Sequence, residues 1–266
     1  MTGIAFAESP RWHDRRLWFA DWGTGEVVAV DLDGNSEVEV ELDFPSFQAI
    51  SFDWLSDGRL LIVSSVEALL VRCEPDGTLT THADLSGLSE PGHPWNEIVV
   101  DRRGNVYVNN SGFDFPGGEF APGTIALLTP DGAARRVADG IAFPNGMAVT
   151  PDNSTLIVAE SYGKKLTAFE IAADGGLSDG RVWADLGDGV PDGSASTPKA
   201  PSGTGTSPTS DACASAKAAR SCRRSSSTAA ASPACSGAQT GASCSCWRTS
   251  GAARRTRARG HERAGC

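Results

Sequence analysis

An all-β fold built as a β-propeller is predicted for residues 1–193 by three observations. A turn that contains Asp, Asn or Gly leads into a short hydrophobic strand, and this unit recurs about every 45 residues, within the range of a four-stranded propeller blade. Asp-Gly pairs between alternating apolar runs indicate hairpins. No segment shows sustained helical periodicity. A generic antiparallel sandwich is the alternative, but the regular spacing favours the propeller.

The repeated unit can be followed four times along the chain. Its first turn and strand occupy residues 13–19, 57–63, 103–108 and 152–158. The second turn of each unit is an Asp-Gly pair, at residues 33–34, 76–77, 131–132 and 174–175. The sequence therefore predicts about four blades and an incomplete ring.

The composition changes just after Gly193. From Ser194 to Cys266 there is no Val, Ile, Leu, Met, Phe or Tyr, and Trp247 is the only large apolar residue. Such a segment cannot bury enough surface to offset its ordering entropy. We therefore divide the chain into propeller blades, residues 1–193, and a low-complexity Ser/Ala/Arg-rich tail, residues 194–266, which we expect to be disordered.

The tail has three interpretations. It is a plain disordered segment, or a basic arm for nucleic acid that uses Arg254, Arg255, Arg257 and Arg259, or a segment translated in the wrong frame. A one-nucleotide shift after Gly193, with GC-rich codons, rebuilds strings close to LDAEGAVWYGDVP and EGGEVLQTVEL. These strings have the turn-and-strand pattern of the first 193 residues, so we favour the frameshift.

Charge and cysteine content restrict the partners and the compartment. The net charge of -10 combines a tail of 11 basic and two acidic residues, net +9, with a propeller region of 12 basic and 31 acidic residues, net -19. An acidic propeller argues against nucleic acid or an anionic membrane as its partner. Cys73 is the only cysteine before the tail, which fits the reducing cytoplasm. No signal peptide or membrane helix is predicted.

Four polar residues near the starts of predicted first strands are the candidate functional residues. They are Glu8, Asn96, Asn145 and Asp192. The first strand of each blade faces the central channel of a propeller, where carboxylate and amide oxygens would suit a hard divalent cation such as Ca²⁺. Their alternative role is that of turn formers, which Asn-Gly and Asp-Gly more often are. The chain has no HExxH, paired CxxC or GxSxG motif.

Four segments resemble the senescence-marker-protein, gluconolactonase and luciferin-regenerating-enzyme family. They are FAESPRWHDRRLWFADW, PWNEIVVDRRGNVYVNN, GIAFPNGMAVTPDNSTLIVAESYGKKLTAFEI and GVPDG. The resemblance implies a six-bladed propeller, here incomplete, that hydrolyses sugar lactones or related small lactones with one divalent metal ion in the central channel. Calcium is the expected ion, with zinc, manganese or magnesium as alternatives.

The resemblance also implies roles for individual residues. Glu8, Asn145 and Asp192 would be the metal ligands, and Asp192 would also be the catalytic acid and base. Asn96 and Asp114 would contact the substrate. The chain departs from the family at Glu97, where Asp is usual, and at Pro94, where some members have a sugar-binding Arg. A preference for gluconolactone therefore does not carry over. The opposing hypothesis is a non-catalytic binding propeller or an inactive frameshifted remnant.

The frameshift hypothesis makes a prediction about the coding DNA. Restoring one nucleotide after the Gly193 codon should convert the tail into strand-patterned sequence and raise the yield of soluble protein, because the missing blades would bury the exposed sheet edges. Resequencing and expression of the restored gene test this. An early stop codon, or a restored sequence without alternating apolar residues, would refute the hypothesis.

Overall fold

The computed structural model describes residues 3–43, 48–196 and 212–216, and this part of the chain is all-β. Its helical content is one 3-10 turn at Ser86–Leu88. Four four-stranded antiparallel sheets follow one another along the chain, and in each sheet the strands are neighbours in sequence order. A two-stranded sheet follows them. The all-β propeller prediction with four blades is therefore confirmed.

The strand boundaries follow the four repeats. The first sheet holds β1 (Ala7–His13), β2 (Arg16–Asp21), β3 (Glu26–Val30) and β4 (Ser36–Glu41). The second holds β5 (Ile50–Trp54), β6 (Leu60–Ser64), β7 (Leu69–Cys73) and β8 (Leu79–Asp84). The third holds β9 (Trp95–Val100), β10 (Val106–Asn110), β11 (Gly123–Leu128) and β12 (Ala134–Ile141). The fourth holds β13 (Pro144–Val149), β14 (Thr155–Glu160), β15 (Lys165–Glu170) and β16 (Arg181–Asp185). The last sheet pairs β17 (Pro191–Ser196) with β18 (Ala212–Ala216).

The core lies between neighbouring sheets. Strands β6, β10 and β14 are buried along their whole length, as expected for strands covered on both faces. Val27 of the first sheet and Phe52 of the second belong to one buried cluster, and Leu61 of the second shares another with Ile98 of the third. Each sheet is thus stabilised by its neighbours, as in a propeller.

Asp side chains hold the outer turns together. Asp76 and Asp174 each accept a hydrogen bond from the backbone N–H two residues later, at 2.9 and 3.0 Å. Because these bonds stabilise the ionised carboxylate, the pKa of each group is lowered. In the first sheet the turn at 33–34 is held by Asp31, which accepts from the N–H groups of Asp33 and Asn35.

The first strands surround a common axis. Strand β1 lies beside β5, β5 beside β9, β9 beside β13, β13 beside β17, and β17 beside β1. Residues 194–196 and 212–216 of the predicted tail lie in β17 and β18. The rest of the tail is outside the described residues, so its expected disorder and the frameshift stay predictions. No helix in the described part of the chain is long and apolar enough to cross a membrane.

Acid should weaken the second sheet through Glu74. Hydrogen bonds from Arg72, Arg59 and Thr80 lower the pKa of Glu74 from 4.5 to about 2. Because the folded state favours the ionised carboxylate, the stabilisation of the fold by Glu74 is complete above pH 4.5 and is lost as the pH falls toward 2. The melting temperature of wild type should exceed that of Glu74→Gln at about pH 6, and the gap should narrow at about pH 2.5. A gap independent of pH would contradict this assignment.

Candidate active site

The four candidate residues occupy the same position in four different sheets. Glu8, Asn96, Asn145 and Asp192 are each the second residue of a first strand, in β1, β9, β13 and β17. All four side chains are half-buried. The predicted placement near the start of each first strand is therefore confirmed, and these side chains come to one end of the axis.

A β-bulge accompanies each of these residues. In β9, β13 and β17 two residues, the candidate and its successor, face a single residue of the paired strand. In β1 the extra residue follows Glu8, at Ser9, whose backbone φ is 51°. Strand β5, which carries no candidate, pairs with β6 in unbroken register. Bulges redirect side chains and are common beside active sites, and here they distinguish the four strands that carry candidates from β5.

Asn145 and Asp192 are in direct contact. Asn145 Nδ2 donates a hydrogen bond to Asp192 Oδ1 at 2.8 Å. The buried Ser161, just after β14, lies 3.3 Å from the same Nδ2 and donates to the carbonyl oxygen of Pro191 at 2.7 Å. Ser161 therefore fixes β17 against β13 at the point where the two candidates meet.

Asn96 is joined to the same region through the backbone. Its Nδ2 lies 3.5 Å from the carbonyl oxygen of Pro144, next to Asn145. The fully buried Asn109 of β10 donates to the carbonyl oxygen of Asn145 at 2.7 Å and accepts from the N–H of Glu97 at 3.1 Å. Asn109 thus holds the starts of β9 and β13 in fixed relation.

A buried carboxylate links three first strands. Glu97 Oε1 accepts a hydrogen bond from Ser9 Oγ at 2.7 Å, and Oε2 accepts one from Ser51 Oγ at 2.8 Å. Arg11 forms an ion pair with Oε2 at 3.2 Å and also donates to the carbonyl oxygen of Ile98. A buried charge is tolerated only when it is paired and hydrogen-bonded, and Glu97 has both kinds of partner.

The last residue of the second strand anchors the segment that enters the first strand. Asp21 accepts from the N–H groups of Ala5 and Phe6, ahead of β1. Asn110 donates to the carbonyl oxygen of His93, ahead of β9, and Glu160 accepts from the N–H of Ala142, ahead of β13. The strands that carry Glu8, Asn96 and Asn145 therefore begin from segments that their own sheets hold in place.

Sequence reasoning missed Asn109, Ser161 and the anchoring residues. A repeated polar segment at the end of the second strand could have identified them. It reads Asn109-Asn110-Ser111-Gly112 in the third repeat and Glu160-Ser161-Tyr162-Gly163 in the fourth. Asp114 is placed differently from the other candidates. It lies in the loop between β10 and β11, and its side chain is exposed.

The donor set fits a hard divalent cation. Two carboxylates, Glu8 and Asp192, and two amides, Asn96 and Asn145, supply oxygen ligands of the kind that calcium prefers, and two negative charges match a divalent ion. Among the described residues no three His, Cys, Asp or Glu side chains form a metal-binding group. The predicted ligand set differs from such a group, because it combines two carboxylates, Glu8 and Asp192, with one amide, Asn145.

The fold and the site together define a β-propeller with an oxygen-lined site at one end of its axis. The chain belongs to the SMP-30/Gluconolactonase/LRE-like family, whose model matches residues 6–200. The predicted family is therefore confirmed.

The chain is also similar to a curated protein and to solved structures, in sequence or in fold. A diisopropyl-fluorophosphatase from Loligo vulgaris is 29% identical over 180 residues, which cover 61% of this chain and 56% of that protein. A gluconolactonase from Xanthomonas campestris has a TM-score of 0.59 at 27% identity, over 71% of this chain and 66% of the other. A calcium-binding protein, regucalcin, from Agrobacterium tumefaciens has a TM-score of 0.58 at 24% identity, over 73% and 64%. The chain thus spans about half the length of the fluorophosphatase.

Removing one hydroxyl from the Glu97 cluster should measurably weaken the fold. Ser51→Ala deletes a fully buried donor to a charged acceptor, and we expect the free energy of unfolding to fall by about 1.5–3 kcal/mol. Ser36→Ala, at an exposed position of β4, is the matched control and should stay within about 0.5 kcal/mol of wild type. Urea unfolding followed by circular dichroism measures both. Equal stabilities for the two variants would show that Glu97 does not depend on Ser51.

Proposed function

We propose that this propeller hydrolyses a small lactone in a metal-dependent reaction. The observation that carries the proposal is the placement of Glu8, Asn96, Asn145 and Asp192 at one register position, each with a bulge. Family membership and the similarity to a gluconolactonase support lactone hydrolysis as the type of reaction. The similarity to a fluorophosphatase supports a hydrolase more generally.

In this proposal Glu8, Asn145 and Asp192 hold one divalent ion, with calcium favoured by the all-oxygen ligands. When bound, the ion polarises the lactone carbonyl and stabilises the negative charge that develops on its oxygen. Asn145 must then present its amide oxygen to the ion. Its Nδ2 already faces Asp192 and Ser161, so Asn145 can bind the ion through Oδ1 without losing these partners.

Asp192 is the proposed acid and base. It accepts a proton from a water molecule as the water oxygen bonds to the carbonyl carbon. The ring C–O bond then breaks, and Asp192 returns the proton to the ring oxygen, so the product is an open-chain hydroxy acid. The hydrogen bond from Asn145 at 2.8 Å holds the Asp192 carboxylate in one orientation for both transfers. Asn96 orients the substrate, and Asp114 contacts it from the loop between β10 and β11.

A non-catalytic binding propeller is the second candidate. The same oxygen-lined site could hold a cation or a small ligand without turnover, and an incomplete ring could weaken the geometry that hydrolysis needs. Turnover that depends on added divalent metal distinguishes the two functions, because a binding module would take up metal and leave the lactone intact.

Loss of either a carboxylate or the amide at the site should reduce metal binding and turnover together. Glu8→Gln, Asn145→Ala and Asp192→Asn each remove an oxygen ligand or its charge, and we expect Asp192→Asn to lower kcat by at least about 100-fold. Calorimetric calcium binding and hydrolysis of a panel of lactones by chelator-treated, metal-restored protein measure the two effects.

Glu41→Gln, an exposed carboxylate on β4, is the matched control and should behave as wild type. Full activity in two of the three site variants would show that these residues only form turns. Turnover that survives chelation would exclude the metal from the reaction.

A further inference from the structure

We propose that the preferred lactone is neutral and carries a flat aromatic substituent, which rests on an aromatic shelf beside Asn145. This inference rests on the proposed function, because it names the class of substrate for the same site. The shelf is defined by five aromatic residues: Phe113, Phe115, Phe120, Phe143 and Tyr162.

Two of the shelf residues are adjacent to the site in the chain. Phe143 lies two residues before Asn145, and Tyr162 directly follows Ser161, whose hydroxyl is 3.3 Å from Asn145 Nδ2. The Ser161 N–H donates to the carbonyl oxygen of Phe143 at 3.0 Å. This bond ties the two backbone segments together, so both rings leave the chain close to the candidate site.

The rings form one continuous surface. Phe143 and Tyr162 are stacked, with centroids 4.7 Å apart and an interplanar angle of 14°. Phe115 lies 4.9 Å from Phe143, and Phe120 lies 5.5 Å from Tyr162. Phe113 contacts both halves, at 5.6 Å from Phe143 and 6.2 Å from Tyr162. The loop between β10 and β11 supplies three of the five rings, so its position determines the shape of the shelf.

The shelf is accessible although it is apolar. Phe113 is buried and anchors the loop, whereas Phe115, Phe120 and Tyr162 remain 47%, 49% and 52% exposed. Exposed aromatic rings that cluster in this way form a contiguous apolar patch, and such patches mark binding sites more often than scattered apolar residues do. Small-molecule sites typically combine an apolar wall with a few placed polar groups, and here the polar groups are those around Asn145.

The chemistry of the shelf selects the ligand. Among the five rings the Tyr162 hydroxyl is the only polar side-chain group, so hydroxyls on the part of a substrate that lies against the rings find few partners, and each unsatisfied hydroxyl would cost binding energy. An aromatic substituent would stack on the rings in the offset or edge-to-face arrangements that aromatic pairs prefer. The net charge of -19 on residues 1–193 disfavours an anionic lactone. A neutral aryl lactone satisfies all three conditions.

The test compares two neutral lactones on the full chain with calcium present. 3,4-Dihydrocoumarin carries a fused benzene ring, and glucono-δ-lactone carries only hydroxyls. We expect wild type to prefer dihydrocoumarin in kcat/KM. Tyr162→Ala and Phe120→Ala should each lower kcat/KM for dihydrocoumarin by about tenfold or more, and that for gluconolactone much less, because only the aryl contact is lost.

Two further variants keep the comparison interpretable. Tyr162→Phe retains the ring and should retain the preference. Trp12→Ala removes an aromatic side chain that is 60% exposed at the far end of β1 from Glu8, and it should leave both substrates unaffected. An equal loss for both substrates in the shelf variants, or a wild-type preference for gluconolactone, would overturn the inference.

A binding measurement separates this inference from the proposed function. 3,4-Dihydro-2-quinolinone is the non-hydrolysable lactam of the same shape, and its affinity for wild type and for Asp192→Asn can be measured by calorimetry. Binding that Tyr162→Ala weakens about tenfold, without turnover of any lactone, would support the shelf and refute hydrolysis. Absence of lactam binding would overturn the shelf alone. A dimer that Tyr162→Ala converts to a monomer in size-exclusion chromatography would also overturn it, since the shelf would then be covered by a second copy.

Discussion

The buried carboxylate of Glu97 is the constraint on which the arrangement of the axis depends. It accepts hydrogen bonds from Ser9 on β1 and Ser51 on β5, and it pairs with Arg11. An unpaired charge at this depth would cost several kcal/mol, so the three strands must approach closely enough to satisfy it. The approach places Glu8, one residue before Ser9, and Asn96, one residue before Glu97, at the same level of the axis. The Glu97 carboxylate, which takes no part in the proposed reaction, therefore sets the spacing between these site residues.

The other half of the site is positioned by uncharged groups. Asn109 holds β9 to β13 through the carbonyl oxygen of Asn145, and Ser161 holds β13 to β17 through the carbonyl oxygen of Pro191, next to Asp192. These bonds to the backbone leave Asn145 and Asp192 in contact with each other through their side chains, and Ser161 also lies 3.3 Å from Asn145 Nδ2. The bulges complete the arrangement, since each of the four strands that carry a candidate has an added residue that bends it locally away from the regular pleat.

The fold could be predicted because its signals are local. Asp-Gly turns and short apolar strands fix each hairpin within a few residues, and their spacing indicates a propeller. The same repeat predicted that Glu8 and Asp192 lie at matching positions, near the starts of first strands. Asn109 and Ser161 could not be assigned, because their partners lie 36 and 30 residues away in sequence and are brought near only when the sheets pack. The aromatic shelf escaped prediction for the same reason, as its rings come from a loop and from two strand ends.

The anchoring of β1, β9 and β13 by their own sheets has a consequence for how such proteins diversify. Asp21, Asn110 and Glu160 hold the strand entrances from within the same repeat, so the starts of these three strands do not depend on the length of the loops between other strands. Loops at this end can therefore grow or change composition without moving Glu8, Asn96 or Asn145. A lineage can then alter the surface beside the axis through a single loop, such as the one that carries Phe115 and Phe120, while the polar residues at the axis are inherited unchanged.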